Sequence, residues 1–386
     1  MQFVHEHKDT TFFEMKKNYS TFVSDVFLLF IFPTMSERTR IKDIAKLAGV
    51  SVGTVDRVIH SRSGVSESSK KRVKEILKQL DYQPNMYASA LASNKKYNFA
   101  CLLPQHAEGE YWTDVEAGIH EAVRTYSDFN VAVQVSYYDP YDYRSFGQAS
   151  QSILATDPDG VMLAPTTPTY TLPFVGELTR RQIPYIYIDS YIQEAPALSF
   201  YGQNSEQSGY FAARILSLLA GEHPQEVVIF RKINDGIVGS NQQERREVGF
   251  RKYMMQHHPR CLIWELNLHA KQDGEDHLML DNFFTRHPQV KNGITFNSKA
   301  YIIGEYLQER ARTDFHLIGY DLLKRNVECL KQGNIFFLIA QQPTLQGFNS
   351  IKTLCDYLIL KKEVIKENFM PIDLLTKENI EFYYSK

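Results

Sequence analysis

The chain has 386 residues, 43% hydrophobic and 23% charged, with a net charge of −2; this excludes a disordered or low-complexity protein and leaves room for two or three soluble domains. Its four cysteines, Cys101, Cys261, Cys329 and Cys355, form no CxxC pair, which excludes a recognisable zinc site and fits a reducing compartment, the cytoplasm. The charge is unevenly spread: residues 35–96 hold 13 Lys+Arg against 6 Asp+Glu, and residues 97–386 hold 27 against 35, the footprint of a small nucleic-acid-binding module ahead of a larger acidic body.

In residues 1–34, Lys16 and Lys17 precede the apolar stretch Phe22–Phe32, which imitates a signal peptide. The stretch contains Asp25 and is too short to span a membrane. An exported DNA-binding head makes no functional sense, so this segment reads as an extension from an upstream start, with Met35 as the natural first residue. The remaining boundaries are a DNA-binding domain over 35–84, a hinge or linker over 85–96, and a two-lobed body over 97–386.

In the head, Ile41, Ile44, Ala45 and Ala48 recur at helical spacing and give one short helix an apolar face. Gly49 turns the chain, and Ser51 is placed to cap the next helix. In that second helix Val55, Val58 and Ile59 face inward, while Gly53, Thr54 and Arg57 can face out. Two short helices around a tight turn, the second with a polar N-terminal edge, have the geometry that enters a major groove. A third helix is expected after Ser66, closed onto the others by Val73, Ile76, Leu77 and Leu80. Lys70, Lys71, Arg72, Lys74 and Lys78 crowd its outer face, as phosphate contacts or as a solvated surface.

The run from Ile41-Lys-Asp-Ile-Ala through Ala48-Gly-Val-Ser, Thr54-Val and Arg57-Val, followed by Val65-Ser66 and Tyr82-x-Pro84-Asn85, resembles the lactose-repressor (LacI) family of transcriptional regulators. The resemblance implies base-reading positions at Val52, Gly53 and Arg57, and phosphate-contacting or capping positions at Thr54 and Ser66. An arginine at 57 can pair bidentately with guanine, a contact worth ~1–3 kcal/mol of discrimination. Gly53 offers no side chain where the family often has a reading residue, and Asp56 replaces the usual serine, so the operator sequence does not carry over. Asn85-Met-Tyr-Ala-Ser-Ala-Leu-Ala92 matches the family's hinge, which implies a segment helical on DNA with Leu91 as a minor-groove wedge. A lone hinge helix is marginal; a homodimer on a palindromic double-stranded DNA operator follows.

Beyond Lys96 short apolar runs alternate with amphipathic helices. Phe99–Leu103, Val131–Tyr137, Gly160–Ala164 and Tyr185–Ile188 read as buried strands. So do Val227–Phe230, Leu262–Leu266, Gly293–Phe296, Leu317–Gly319 and Phe336–Ala340. The alternation predicts parallel sheets covered on both faces, and nine or more strands predict two similar lobes. Ligands of such sheets bind beyond the carboxyl ends of the strands. There the chain places Tyr111 and Trp112, whose rings can stack on a sugar, and Asp189, Arg246, Asn297, Asp321 and Gln341, whose side chains can engage neighbouring hydroxyls. Singly each has a bland alternative: turn or cap residues for Asp and Asn, a packed surface for Trp112, a structural ion pair with Glu244 or Glu247 for Arg246.

Their joint spacing is similar to the sensor half of the same family and to pentose- and hexose-binding periplasmic proteins, over essentially all of 97–345. The resemblance implies a type I periplasmic-binding-protein-like fold, Tyr111 and Trp112 as an aromatic pair sandwiching the sugar, and the other five as hydroxyl-binding positions. Ser298 stands where an acid is common and Glu110 where proline or asparagine is, leaving the sugar open and admitting a nucleoside.

The helix expected at Pro343–Leu360 offers Leu345, Phe348, Ile351, Leu354 and Leu358 to the core or to a dimer partner, and Pro371–Phe382 is expected to form a last strand or crossover. No GxGxxG, P-loop, GxSxG or HExxH motif is present, so the chain does not read as an enzyme, and no cofactor or metal is expected. The fold expected is an all-α helix-turn-helix head on an α/β two-lobed body. The function expected is sequence-specific DNA binding modulated by a small carbohydrate-like effector. The competing reading, a periplasmic solute-binding protein, conflicts with the head.

Overall fold

The computed structural model describes residues 40–59, 62–80, 82, 87, 95–221, 225–234, 236–269 and 275–383. The chain divides into two compact units, 1–85 and 86–386. Leu91 and residues 1–34 lie outside the described residues.

In the head, helices α1 (Ile41–Ala48), α2 (Val52–Ile59) and α3 (Glu67–Gln79) bury Ile44, Ala45, Ala48, Val55, Val58 and Val73 against one another. Gly49 ends α1 in the left-handed region at φ +63°, where its N–H donates back to helix carbonyls; glycine adopts this conformation without steric cost. Ser51 Oγ accepts the N–H of Thr54 at 3.1 Å, and Ser66 Oγ accepts that of Ser69 at 3.3 Å. Both hydroxyls satisfy donors that a helix start leaves free. One expectation fails: Leu80 is exposed rather than part of the closing stripe. It occupies the C-cap of α3, one residue past the last helical turn, so its side chain lies off the helix face that meets the core.

The second unit contains two six-stranded sheets of equivalent topology. One has the order β2-β1-β3-β4-β5-β11 and the other β7-β6-β8-β9-β10-β12. The first comprises β1 (Tyr97–Pro104), β2 (Val131–Tyr138), β3 (Gly160–Leu163), β4 (Tyr185–Ile188), β5 (Ser199–Gly202) and β11 (Glu367–Phe369), all parallel. The second comprises β6 (Glu226–Ile233), β7 (Leu262–His269), β8 (Asn292–Thr295), β9 (His316–Tyr320), β10 (Phe337–Ala340) and β12 (Asp373–Leu375), of which only β12 runs antiparallel. Central strands such as Tyr185–Ile188 are buried at every position, as expected where helices cover both faces.

Around the first sheet lie α4 (Tyr111–Thr125), α5 (Tyr143–Ala155) and α6 (Pro168–Arg180). Around the second lie α7 (Ser205–Ala220), α8 (Asn241–His257), α9 (Asp276–Arg286), α10 (Tyr301–Glu309) and α11 (Lys324–Gln332). Helix α12 (Pro343–Leu358) returns to the first lobe, where Ile351, Leu354 and Cys355 join the core with Phe99 and Cys101. A short α13 (Ile380–Tyr383) closes the second lobe through Ile380.

Each lobe has one pair of helices in backbone contact. A Cβ added to Gly118 of α4 would lie 1.9 Å from the Thr344 carbonyl oxygen of α12, and one on Gly347 would lie 2.1 Å from that of Val115. In the second lobe Gly209 of α7 and Gly249 of α8 make the same kind of approach, to the carbonyl oxygens of Arg246 and Glu206.

The chain crosses between lobes three times, after β5, after β10 and after β11. Gln203, 1% exposed, ties the crossings together: its Nε2 donates to the carbonyls of Ala340 (2.8 Å) and Pro371 (2.7 Å). Among the described residues no helix is long and apolar enough to cross a membrane.

Candidate functional site

In parallel sheets every strand delivers its carboxyl end to the same edge, and here the two edges face one another across a cleft. The cleft encloses a cavity of about 530 Å³, in the range that takes a small organic ligand. Tyr111, Trp112, Asp189, Arg246, Asn297, Asp321 and Gln341 all line it.

Asp189 follows β4 and Asp321 follows β9, equivalent strands of the two sheets. Both adopt left-handed backbone, at φ +69° and +67°, a region that aspartate tolerates better than most residues. The N–H of each donates to the next strand, Asp189 to Tyr201 O at 2.8 Å and Asp321 to Ile339 O at 3.0 Å. These matched turns aim one carboxylate from each lobe into the cleft.

Arg246, on the second turn of α8, is 1% exposed. Its Nη1 donates to Phe296 O at 2.9 Å and its Nη2 to Gln341 Oε1 at 3.0 Å, while its guanidinium lies 3.8 Å from the centre of the Tyr320 ring. Gln341 Oε1 also accepts from Gln242 Nε2 (2.8 Å), and Gln341 Nε2 donates to Asp321 Oδ1 (2.7 Å). The amide therefore connects the arginine to the carboxylate. The Tyr111 hydroxyl and Arg246 Nε are buried without hydrogen-bond partners among the described residues. That hydroxyl lies near the Asp189 carboxylate, outside hydrogen-bonding geometry.

Burial raises the Asp189 pKa to about 7, with the Arg246 charge opposing and that of Asp321 adding to the rise. Burial likewise raises Asp321 to about 6, against the pull of Arg246 and the Gln341 amide. Desolvation thus outweighs one guanidinium shared between two acids.

Two sequence expectations change in detail. Tyr111 and Trp112 both line the cleft, but their rings meet edge to face at 85° with centroids 5.1 Å apart. Adjacent helical residues diverge by about 100°, so the pair forms a corner rather than two parallel plates enclosing a ring. Asn297 has both ends of its amide engaged locally, donating to Thr295 Oγ1 (2.7 Å) and accepting from Lys299 N (2.8 Å). Arg246 makes no ion pair with Glu244 or Glu247; Glu247 instead pairs with Arg231 and Arg251.

Sequence reasoning missed the contacts that join the lobes across the rim. Lys299 Nζ pairs with Glu110 at 2.7 Å. Asn241 Nδ2 donates to Thr166 O, and Arg245 lies 5.1 Å from the Tyr191 ring centre. Gly239 packs under Tyr141, where an added Cβ would come within 2.7 Å of the ring. Gln242 was legible in principle, since it stands one helical turn before Arg246 on the same face of α8.

In the head, Val52, Gly53 and Arg57 are exposed along one edge of α2. The Thr54 hydroxyl lies 2.9 Å from Ser51 Oγ, and Ser66 serves as the α3 cap. Asp56 pairs with Arg62 at 3.1 Å, which directs its carboxylate toward a cation of the head itself. Among the described residues no cluster of His, Cys, Asp or Glu can hold a metal ion.

Comparison with known proteins agrees with both units. Residues 40–85 match the model of bacterial regulatory proteins of the lacI family, and residues 99–363 match the periplasmic binding protein domain. The HTH-type transcriptional repressor ExuR of Bacillus subtilis is 25% identical over 222 residues, 56% of this chain and 61% of that protein. The regulator MalR of Streptococcus pneumoniae is 37% identical over 100 residues, 25% of this chain and 30% of that protein. The matched stretches thus span less than two thirds of these curated relatives. A solved Bacteroides fragilis structure assigned to the LacI transcriptional regulators is 66% identical, with a TM-score of 0.73, covering 75% of this chain and all of that one. The glucose-galactose binding protein GanP of Geobacillus stearothermophilus shares the fold at 18% identity, with a TM-score of 0.65 over 74% of this chain and 99% of its own. With a helix-turn-helix head ahead of a two-lobed periplasmic-binding-protein domain, the chain belongs to the lacI family of bacterial regulatory proteins.

Proposed function

We propose that the protein is a cytoplasmic, homodimeric regulator that binds a palindromic operator and releases or grips it according to a small hydroxyl-rich effector between its lobes. Val52, Gly53 and Arg57 meet base edges, Thr54 and Ser66 the backbone, and Leu91 the minor groove. Tyr111, Trp112, Asp189, Arg246, Asn297, Asp321 and Gln341 hold the effector. The observation that carries the reading is the convergence of these seven side chains, drawn from both lobes, on one 530 Å³ cavity. Carboxylates, a guanidinium and amides suit hydroxyls that both donate and accept, and an aromatic corner suits the apolar edge of a sugar ring. Structural relatives below 25% identity include an arabinose-binding protein of Geobacillus stearothermophilus and a solute-binding protein in complex with D-arabinose; a pentose or hexose is the corresponding class here.

The effector acts by binding the closed lobes better than the open ones. A preference of ~1–3 kcal/mol between the two states is enough to change operator occupancy severalfold or more. Lobe closure changes the angle between dimer partners, and with it the ability of paired hinges to order on DNA. Gel-shift titration of an operator selected from random DNA, repeated with a panel of neutral pentoses, hexoses and nucleosides, tests the reading. At least one sugar should move the midpoint tenfold or more; a midpoint that no sugar or nucleoside moves refutes the sensor assignment.

A further inference from the structure

The basic side chains around the cleft are already engaged by the protein. Lys299 is held by Glu110 at 2.7 Å, and Lys232 by Asp276 at 2.8 Å together with the His269 carbonyl. His106 lies between the Pro104 carbonyl (2.9 Å) and Glu116 (3.3 Å). Arg246 spends its two Nη groups on Phe296 O and Gln341 Oε1 and its face on Tyr320. The acids of the cavity are placed differently. Asp189 and Asp321 are both buried, with the neutral side chains of Tyr111, Gln242 and Gln341 beside them and the single charge of Arg246 acting on both. One guanidinium therefore faces two carboxylates, with no further uncommitted cation among the described lining residues.

An anionic ligand entering this cavity would meet the paired acids Asp189 and Asp321, and would find on Arg246 only the donors its two Nη contacts leave, the unpartnered Nε among them, on a charge that both acids already share. A hydroxyl suffers no such repulsion and can donate to either acid. We propose that the cleft is charge-selective: its effector carries no carboxylate, phosphate or sulfate, and acidic sugars are rejected by Asp189 and Asp321. This rests on the reading of the cleft as a sugar site and names the subclass of ligand it takes. Rejection of a competitor by a placed like charge is an ordinary route to specificity.

Titration calorimetry on the full-length protein at about pH 8.5, above the raised pKa values of both acids, with matched sets of a neutral hexose, its uronate and its 2-amino analogue, tests the proposal. For at least one set the neutral sugar should bind, the uronate should bind at least about tenfold more weakly, and the amino sugar should bind no more weakly than its parent. A uronate that equals or exceeds its neutral parent overturns the charge assignment while leaving the sugar reading intact. If no sugar of any charge binds, the sugar reading itself falls, and the selectivity with it. The Glu110→Gln variant supplies a gain-of-binding check, because it releases the Lys299 ammonium into the rim. The neutral-to-uronate affinity ratio should shrink about threefold or more in that variant. An unchanged ratio overturns the inference, and misfolding cannot mimic the expected result because it does not create affinity for a uronate.

Discussion

Asp189 and Asp321 make the stability of the unliganded protein depend on pH. Burial lifts the folded-state pKa of Asp189 from 3.8 to about 7 and that of Asp321 to about 6. Between the ordinary and the raised values the folded state holds a proton that the unfolded chain has lost. Stability attributable to these groups is therefore full below pH ~4 and declines as pH rises through the raised pKa values, by up to ~1.4 kcal/mol per pH unit for one proton. Asp189→Asn removes one titrating group and should flatten the decline. Urea unfolding midpoints between about pH 5 and pH 7.5 measure it, and a slope identical in wild type and variant refutes the argument. In the head, Arg57→Ala should cost ~1–3 kcal/mol of binding to the selected operator and less to random DNA, read by competition gel-shift. The ligand-contact candidates were legible because a parallel sheet fixes where its strand ends point, so residue type at those ends identifies them. The direction of each side chain was not legible: that Asn297 is occupied locally, or that the Trp112 and Tyr111 rings meet at a corner, depends on χ angles set by packing.

Helix pairing determines how firmly these side chains are held. Gly209 lets the backbone of α7 touch that of α8 at Arg246, so the arginine is fixed by main-chain contact as well as by its hydrogen bonds. A Cβ at Gly209 would fall 1.7 Å from the Arg246 carbonyl oxygen, and the helices must separate to admit it. Gly209→Ala should destabilise by about 1–3 kcal/mol and weaken effector binding at the same time. Gly147, inside α5 with nothing within 4 Å of its Cβ position, offers the contrast: Gly147→Ala should stabilise by about 0.5–1 kcal/mol without touching affinity. Chemical denaturation and calorimetry on the two variants decide; equal effects would show that the close approach carries no constraint. Nine strands were readable as apolar runs between helical patterns. Strand β5, Ser199-Phe-Tyr-Gly, begins and ends with small residues and gives no such run. Strands β11 and β12 have three residues each at sheet edges, where pairing rather than hydrophobicity defines them. The second face of α12 shows why the core-or-partner alternative was open: Ile351 and Leu354 are fully buried while Leu345 is half exposed.

The two lobes form one unit in which three crossings share one clasp. Gln203 donates to a carbonyl on each of the other two crossings, and Ser208 Oγ donates to its Oε1 at 3.2 Å. Gln203→Ala leaves the buried Ala340 carbonyl and the part-buried Pro371 carbonyl without that donor and should cost about 1–3 kcal/mol of stability. It should also broaden the range of lobe angles, seen as a larger radius of gyration of the unliganded protein by small-angle scattering; an unchanged radius would confine Gln203 to a stabilising role. That there would be two lobes was legible from strand number. That neither would be continuous in sequence was not, because nothing in the pattern of α12 says which sheet it covers.

This discontinuity sets an order of events on the ribosome. Residues 97–202 leave the exit tunnel ahead of the second lobe, yet the face of their sheet around Phe99 and Cys101 is covered by Ile351, Leu354 and Cys355 of α12, and their edge is paired by Glu367–Phe369. At ordinary translation speeds of ~5–20 residues per second, that face waits roughly 10–30 s for its cover while the other lobe is almost wholly made. The lobe synthesised first thus waits for its cover until most of the other has been made, and nascent chains stalled between residues 203 and 342 are those on which holding chaperones should be found.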